Sequence, residues 1–152
     1  MKKKIILITF IIIVLLYTAF IVYNQYSDST ASGVIDGKLA ECPDSPNCVS
    51  TKTMDGSKIM EPIPYTNSTE AFEILVKVIN EMPGTKIINQ DSNYLHVTFT
   101  SRVFRFVDDV EFYFDEQEKF IHFRSASRTG YSDLGVNQER MDKITNRMIN
   151  EM

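Results

Sequence analysis

The sequence predicts an α+β fold: a mostly antiparallel four-stranded sheet with two helices packed on one face, preceded by one N-terminal transmembrane helix. Three observations predict it. An almost unbroken apolar run extends from Ile5 to Tyr23. Residues 94–127 alternate between apolar and polar side chains, which is typical of strands with one buried face. Residues 69–82 and 138–150 repeat apolar side chains at helical spacing, which is typical of helices that cover a core.

The N-terminal apolar run is long enough to be a membrane anchor. About 20 apolar residues that rise 1.5 Å each span a hydrocarbon core of about 30 Å, so we interpret residues 1–23 as the anchor. The alternative is a cleaved signal peptide, which also begins with basic residues. The run is longer than the usual signal-peptide core of roughly 7 to 15 residues, and the nearest small pair, Ala31 and Gly33, lies well beyond its end. Retention of the anchor is therefore favoured.

The charges around the anchor predict its orientation. Three lysines precede the apolar run, and no basic residue lies between Tyr23 and Gly37. The positive-inside rule therefore predicts a single-pass protein of the cell membrane with its C-terminal domain outside the cytoplasm. Residues 24–38 are small and polar, and we interpret them as a linker that holds the domain, residues 39–152, away from the bilayer.

The domain outside the membrane is acidic. Three of the 16 Lys and Arg residues precede the anchor, which leaves 13 against 20 Asp and Glu, or a net charge of about −7. Nucleic acid is therefore disfavoured as a partner, because phosphate binding depends on a basic face. The same charge repels anionic headgroups, so we expect tethering to the membrane without close adsorption.

The only two cysteines, Cys42 and Cys48, lie in a turn-rich segment with two prolines between them. The intervening residues can bend back far enough to bring the cysteines within bonding distance. Outside the cytoplasm such a pair is more often oxidised than free, so we expect a disulfide. A zinc site would need imidazole ligands, and His96 and His122 are both distant in sequence. We expect no metal and no other cofactor.

The first half of the domain contains an extended segment and a helix. Prolines make residues 59–65 extended, so this segment can serve only as an edge strand or a strap. Asn67 begins a glycosylation acceptor sequence, but a helix cap at Asn67 or Ser68 explains the same residues, and we prefer the cap. The helix over 69–82 then ends at Pro83.

Four strands follow the helix, over residues 85–88, 94–101, 104–114 and 119–127. The last two form a hairpin with a polar turn at residues 115–118. A four-residue loop would place Asp109 opposite Arg124 and Glu111 opposite His122. In both pairs an acidic residue would then lie directly across from a basic one on the outer face of the sheet, and such cross-strand pairs are stabilising.

Alternation assigns the side chains to the two faces of this sheet. The inner face carries apolar residues of the hairpin, including Phe104 and Phe106, and Asp108 shares it. The polar outer face is expected to carry the following residues: Tyr94, His96, Asp109, Glu111, His122 and Arg124. The last helix is expected over 138–150, after a cap at Asn137.

Candidate functional residues concentrate between Phe106 and Gln138, where acids, arginines, a histidine and a polar loop lie close in sequence. The candidate ligand-binding residues are Asp108, Asp109, Glu111, His122, Arg124, Ser125, Arg128, Tyr131 and Asp133. The arginines, the hydroxyl residues between them and the helix start at Asn137 could form an anion pocket. A structural ion network, in which the nearby acids neutralise the arginines, is the alternative. No catalytic residue can be assigned.

Asp108 is the candidate that local rules explain worst, because a carboxylate on an apolar face needs a partner. The possible partners are Ser125, Arg128, the amides of Thr129 and Gly130, and Tyr131, and such a contact would pin the polar loop to the sheet. The alternatives are an acid poised for general acid or base chemistry, or a bulge that turns the side chain outward. We expect Asp108→Ala to cost about 3 to 5 kcal/mol. Asp109→Ala would remove a solvent-facing group and cost about 0 to 1 kcal/mol.

Three stretches of the sequence carry a resemblance to a known family. They are CPDSPNCVS from Cys42, FVDDVEF from Phe106 and RSASRTGYSDLGVNQER from Arg124. The domain resembles the family of domain of unknown function DUF1499, and the resemblance leaves out only the anchor and the linker. It implies a small exported or membrane-associated protein, which agrees with the topology above. It implies no activity, ligand or catalytic residue.

Two functions from different classes remain open. The first is a membrane-tethered binding or accessory module of the cell envelope, which uses the polar loop from Arg124 to Gly135 to bind an anionic ligand or an envelope protein. The second is a small extracytoplasmic hydrolase that uses Asp108 or Asp109 with His122. The sequence contains no nucleophile elbow of the G-x-S-x-G kind, so we favour the binding module over an enzyme.

Overall fold

A computed structural model describes residues 2–152 as three helices and six strands, which confirms the α+β class. Met1, the first residue of the predicted anchor, lies outside the described residues. The helices are α1 (Lys2–Gln25), α2 (Ser68–Asn80) and α3 (Val136–Glu151). The strands are β1 (Cys48–Ser50), β2 (Ile63–Pro64), β3 (Thr85–Gln90), β4 (Tyr94–Thr100), β5 (Val107–Asp115) and β6 (Phe120–Ser127).

The strands form one antiparallel sheet in the order β1-β6-β5-β4-β3, and β2 pairs with the same edge of β6 as β1 does. The apolar stripes of α2 and α3, represented by Leu75 and Ile144, pack against inward residues such as Phe112 and Phe123. The sheet has two strands more than predicted. β1 and β2 contain only three and two residues, which is too short to show an alternating pattern. Pro64 fits the edge position because it lacks an N–H donor.

β5 begins at a later residue than the predicted start at 104. Arg105 has a φ of 57°, and this left-handed conformation interrupts the extended backbone. The Ser101 N–H donates to the Phe106 carbonyl at 2.8 Å, and the Phe106 N–H donates to the Ser101 hydroxyl at 2.9 Å, which closes a turn before the strand. The prediction that Phe104 and Phe106 belong to the core is therefore wrong, and both rings lie against Phe20 of α1.

The β5–β6 hairpin pairs in a different register from the predicted one. Its loop consists of residues 116–119 and not of residues 115–118. Glu111 therefore faces Arg124 and not His122, and both predicted cross-strand charge pairs are wrong. The difference moves each partner by two positions along the strand. Because side chains alternate with a period of two, each hairpin residue keeps its predicted face.

The two helices of the domain differ in how well their starts were predicted. The predicted cap of α2 is confirmed, because the Asn67 side chain accepts hydrogen bonds from two amides of the first turn. The predicted cap of α3 is wrong, because the helix begins at Val136 and Asn137 lies inside it, fully buried. Asp133 accepts a hydrogen bond from the Asn137 N–H at 2.7 Å and so caps the helix from three residues before its start.

The predicted disulfide joins Cys42 to Cys48, with Cα atoms 5.7 Å apart. Cys48 is the first residue of β1, so the bond fastens the preceding loop to the edge of the sheet. The Lys58 ammonium donates to the carbonyls of Pro43 and Asp44 and holds the same loop from its other side. This part of the domain is therefore ordered by covalent and polar contacts instead of a core of its own.

α1 is a single helix long and apolar enough to cross a membrane, as the sequence predicts. None of its apolar stretch is buried against the domain. Only Asn24, near its end, is buried. A long apolar helix without a buried residue in its apolar stretch differs from the core helix of a soluble domain, which is mostly buried.

Candidate functional site

The candidate residues separate onto the two faces of the sheet. Asp108 and Asp109 are neighbours in β5, and alternation sends their side chains to opposite sides. Asp108 lies with Ser125 on the face that α2 and α3 cover, which we call the helix face. Asp109 lies with Glu111 and Arg124 on the other, polar face. Both aspartates are buried, so the expectation that Asp109 faces solvent is wrong.

Residues 26–34 lie across the polar face and bury it, and we call them the cover segment. The Thr30 N–H donates to Asp109 at 2.7 Å, and the Gly33 N–H donates to Glu111 at 2.9 Å. Their small polar side chains predict a linker. Their backbone instead supplies hydrogen bonds to both buried carboxylates. Because the contacts use backbone groups, small polar side chains are sufficient, and hydrophobicity does not reveal the segment.

Asp109 is the centre of the first ion cluster under the cover segment. Arg128 donates to it from Nε at 3.0 Å and from Nη2 at 2.8 Å, and His96 Nε2 lies 2.8 Å from its Oδ1. Burial by itself raises the pKa of Asp109, but hydrogen bonds from His96, Arg128 and Thr30 outweigh it and hold this pKa well below its ordinary value. The carboxylate is thus ionised and fully satisfied, which suits a structural role better than proton transfer.

The second cluster joins Glu111 to Tyr94 and Arg124. The Tyr94 hydroxyl donates to Glu111 Oε1 at 2.8 Å, and Arg124 Nη1 lies 3.6 Å from Oε2. Burial raises the pKa of Tyr94, and the hydrogen bond to Glu111 raises it further. Burial lowers the pKa of Arg124, and the charge of Glu111 opposes this effect. Within residues 2–152, Glu111 Oε2 and Arg124 Nε have no hydrogen-bond partner, so this cluster is less completely satisfied than the first.

Arg124 and Arg128 are therefore engaged inside the protein. Besides its carboxylate, each donates to a carbonyl of the N-terminal segment: Arg124 to Thr30 at 3.1 Å and Arg128 to Ser27 at 3.0 Å. An anion pocket would need these guanidinium groups to face a ligand. The geometry at these two arginines fits the structural ion network better than the pocket.

His122 lies at the opposite end of the polar face. Its Nδ1 lies 3.1 Å from the Thr51 hydroxyl, and its Nε2 lies 3.1 Å from Glu118. Burial lowers the pKa of His122, and the hydrogen bond to Glu118 partly offsets this effect. Within residues 2–152 His122 hydrogen-bonds neither Asp108 nor Asp109, so the pairing required by the hydrolase hypothesis is not formed.

Asp115, Glu118 and His122 could together hold a metal ion, because one ligand atom of each lies within 4.8 Å of the others. Existing contacts already engage these atoms. Lys52 Nζ lies 3.3 Å from Glu118, and Asp115 accepts hydrogen bonds from two backbone amides of the loop. The geometry therefore explains the group without a metal, and the expectation that the chain needs none stays a prediction.

Asp108 is satisfied by a residue outside the candidates predicted from the sequence. Arg140 of α3 donates to Asp108, and its guanidinium carbon lies 4.6 Å from the centroid of the Phe99 ring. Ser125, a predicted partner of Asp108, instead donates to Asn137 at 2.6 Å. A signal for Arg140 was available in the sequence, since it lies three residues after Asn137 and helical residues three apart share a face.

Two adjoining hollows open beside Asp108, and we call them together the Asp108 cleft. The inner one is a cavity of about 240 Å³ beneath the loop at residues 128–135. The outer one is a groove of about 670 Å³ between α3 and the turn that precedes β3. Asp108 lines both. Of the predicted loop residues, Asp133 lines the inner cavity, whereas Tyr131 is exposed and lines neither hollow.

Comparison with protein families agrees with the resemblance carried by the three sequence stretches. A family model described as a protein of unknown function (DUF1499) matches residues 38–148. The chain belongs to this family. Comparisons with curated proteins and with solved structures found no match. The match includes the Asp108 cleft and leaves out α1 and the cover segment.

The groove of the DUF1499 domain is basic although the domain is acidic. Its charged lining residues are Arg102, Arg105, Asp108, Glu139, Arg140 and Lys143. Among the arginines of the sequence, four pair with carboxylates, namely Arg124, Arg128, Arg140 and Arg147. Arg102 and Arg105 have no carboxylate partner within residues 2–152. Both unpaired arginines therefore lie on the wall of the groove.

Proposed function

We propose that this DUF1499 protein is a membrane-tethered binding module of the cell envelope. α1 is retained as a single-pass anchor, and the domain lies outside the cytoplasm. The ligand is an anion that carries an apolar group, and the Asp108 cleft receives it. The apolar length of α1 and the lysines before it support the topology. The charges and the shape of the groove support the class of ligand.

The observation that carries the proposal is the pair of unpaired arginines. In an acidic domain an arginine has many carboxylates within reach, and each of the other four arginines contacts one. Arg102 and Arg105 are instead held at the groove by the turn that Ser101 and Phe106 close. Guanidinium groups bind phosphate, sulfate and carboxylate through pairs of parallel hydrogen bonds. Free cations that a closed turn holds on the wall of a groove are suited to an anionic ligand.

The remaining walls of the groove suit an apolar group. Met82, Pro83, Phe99 and Val136 line it together with the charged residues. Its volume of about 670 Å³ falls within the range of roughly 300 to 1,000 Å³ that is usual for small-molecule sites. A ligand with its anionic end at Arg102 and Arg105 and its apolar part against Phe99 would use both kinds of wall.

Only part of the polar loop from Arg124 to Gly135 belongs to the proposed site. Residues 128–135 form a wall of the inner cavity, which adjoins the groove at Asp108. Arg124 is excluded because Glu111 and the cover segment engage it on the other face of the sheet. No observation favours the hydrolase alternative, since His122 contacts neither of the two aspartates that it would need.

Binding of hexyl phosphate, a soluble alkyl phosphate, tests the proposal. We would titrate it calorimetrically into the full-length protein in nanodiscs of phosphatidylcholine. Saturable binding is expected, and the double variant Arg102→Gln/Arg105→Gln should bind at least about tenfold more weakly, which corresponds to about 1.4 kcal/mol. Lys38→Gln, which removes an exposed cation outside the groove, is the matched control and should bind like the unaltered protein.

Two simpler probes separate the contributions of the ligand. Inorganic phosphate carries the charge without the apolar group, and hexanol carries the apolar group without the charge. Each should bind more weakly than hexyl phosphate. Equal affinity of the double variant and the unaltered protein for hexyl phosphate would show that the groove is not an anion site.

A further inference from the structure

We propose that the turn between β4 and β5 is a second membrane contact, so that the domain docks on the bilayer instead of standing away from it. We call residues 101–106 the RVFR turn, after the four residues at its apex. The inference rests on the proposed function in one respect, the retention of α1 as a membrane anchor. It does not depend on which side of the membrane the domain occupies.

The RVFR turn presents two apolar side chains between two arginines. The apex consists of Arg102, Val103, Phe104 and Arg105. Hydrogen bonds between Ser101 and Phe106 close the turn at its base. The left-handed backbone at Arg105, with a φ of 57°, returns the chain toward β5. The four apex residues are therefore held together as one projection of the domain.

The RVFR turn lies along the end of α1. The Tyr17 hydroxyl donates to the Val103 carbonyl at 2.9 Å, and the Phe20 ring lies edge-on to Phe104 with centroids 6.4 Å apart. One helical turn further on, Asn24 Nδ2 donates to the Phe104 carbonyl at 3.1 Å. These contacts occur on successive turns of the helix, so the apex follows the helix axis back toward the apolar run.

The position of Tyr17 in α1 indicates how deep the apex lies. The apolar run ends at Tyr23 and polar residues follow, which places the edge of the hydrocarbon core near Tyr23. Tyr17 precedes Tyr23 by a distance of about 9 Å along the axis, at 1.5 Å per residue. A tilt of about 20° shortens this depth only slightly. Val103, which is hydrogen-bonded to Tyr17, therefore lies on the hydrocarbon side of that edge.

The exposure of the apex identifies lipid as its partner. Val103 is 58% exposed and Phe104 is 53% exposed, although both lie beside an apolar helix. In the neighbouring loop at residues 128–135, which also hydrogen-bonds the end of α1, Tyr131 is 78% exposed and Leu134 is 93% exposed. Large apolar side chains exposed together mark an interaction surface. Because this surface continues the surface of a membrane-spanning helix, the lipid bilayer is the partner that covers it.

The two arginines of the apex suit the headgroup layer. An arginine at a membrane edge buries its aliphatic stem and keeps its guanidinium among the headgroups, where phosphate groups are the available partners. The net negative charge of the domain predicts no close adsorption, but the charge of the RVFR turn is positive. Arg102 and Arg105 also line the groove, so the Asp108 cleft opens at the membrane surface.

The chain contains no tryptophan, so a single introduced tryptophan reports on its own position. We would reconstitute full-length Phe104→Trp, Ile13→Trp and Met54→Trp in phosphatidylcholine vesicles, with and without bromine atoms on the acyl chains. Bromine in the hydrocarbon core quenches a tryptophan that enters it. Ile13 lies in the middle of α1 and is the reference for a tryptophan inside the membrane. Met54 is the reference for a tryptophan in water, because it is 91% exposed. It lies near Lys52, which contacts the β5–β6 loop at the end of β5 remote from the RVFR turn. Phe104→Trp should be quenched several-fold more than Met54→Trp and nearly as much as Ile13→Trp.

The quenching results distinguish a failure of the docking from a failure of the membrane anchor. An unquenched Phe104→Trp beside a quenched Ile13→Trp overturns the docking of the domain and leaves the anchor intact. An unquenched Ile13→Trp overturns the anchor and the docking together. If Phe104→Trp fails to fold, Val103→Trp, at a position that is 58% exposed, provides the same measurement.

Discussion

The two faces of the central sheet are buried by different means. On the helix face, α2 and α3 remove apolar side chains from water, and burial of apolar area is the main source of stability there. On the polar face, the cover segment removes charged side chains from water. Its backbone N–H groups and the guanidinium groups of Arg124 and Arg128 satisfy the buried carboxylates. A face of acids and arginines can therefore be as completely buried as a hydrophobic core when acids and arginines lie next to each other as partners.

The two kinds of burial differ in what a single substitution does. On the helix face, Asp108 pairs with Arg140, which also donates to Ser125 and Asn137 and therefore keeps partners when the carboxylate is lost. On the polar face, the Asp109 side chain is completely buried between Arg128, His96 and Thr30. Loss of this carboxylate removes the acceptor of three groups at once, and breaking a buried charge pair is strongly destabilising.

The largest effect is expected from Asp109→Ala. Loss of this carboxylate leaves Arg128 and the Thr30 N–H buried without their acceptor, and we expect a loss of about 3 to 5 kcal/mol of unfolding free energy. Asp108→Ala, the matched substitution on the helix face, should cost less, about 1.5 to 3 kcal/mol, since Arg140 keeps its bonds to Ser125 and Asn137. Urea unfolding of both full-length variants in detergent measures the difference.

This order reverses the one that the sequence alone predicts for the two aspartates. A larger loss for Asp108→Ala would mean that the cover segment does not keep water from the polar face in solution. Equal losses would mean that the two faces are buried alike and would remove the distinction between them.

The next largest effect is expected from removing the cover segment. The DUF1499 match begins at residue 38, so a fragment of residues 38–152 would lack it. Hydrogen bonds to charged groups contribute roughly 1.5 to 3 kcal/mol each, and water would replace part of the bonds from Thr30 and Gly33. We therefore expect the fragment to be about 2 to 4 kcal/mol less stable than a fragment of residues 24–152.

Thermal and urea unfolding of the two fragments provide the measurement. A synthetic peptide of residues 24–37 should restore part of the lost stability when added to the shorter fragment. Identical unfolding midpoints would show that the contacts of the cover segment contribute nothing and that the linker interpretation was sufficient.

The regular part of the fold could be predicted because it depends on side-chain periodicity. Alternation assigned Asp108 to the helix face and Asp109 to the polar face, and the spacing of apolar residues located both helices of the domain. The predicted register of the β5–β6 hairpin is wrong by two positions. The assignment of residues to the two faces is nevertheless correct, because a shift of two positions leaves each residue on its face. The disulfide was predictable because only two cysteines are present and they lie close in sequence.

The remaining features could not be predicted because they depend on backbone contacts between distant residues. The cover segment binds through N–H groups that every residue except proline possesses, so its composition resembles that of a linker. The left-handed backbone of Arg105 delays the start of β5, and arginine is not a residue that signals such a conformation. Arg140 lies just beyond the stretch from Phe106 to Gln138 in which the candidate residues concentrate, although helical spacing from Asn137 indicates it.

The smallest expected effect is a difference in acid sensitivity between the two faces. The pKa of Asp109 is lowered in the folded protein, whereas an aspartate in an unfolded chain titrates near about 3.9. As the pH falls through about 4, the unfolded chain binds this proton before the folded protein does, so stability decreases. The contribution of Asp109 is therefore complete above about pH 5 and is lost progressively below about pH 4. Asp109→Asn removes the titrating group and should make stability depend less on pH over this range.

Ser127→Ala is the matched substitution on the helix face. Its hydroxyl accepts a hydrogen bond from Asn137 at 3.1 Å and carries no charge, so the loss should be the same at every pH. We would measure the urea midpoint of each protein at several pH values between about 5 and 2.5 and plot it against pH. The plot for Ser127→Ala should run parallel to that of the unaltered protein, and the plot for Asp109→Asn should be flatter. Parallel lines for both variants would show that protonation of Asp109 does not accompany unfolding. The polar face would then owe its stability to its uncharged hydrogen bonds, and the two faces would differ less than their residues suggest.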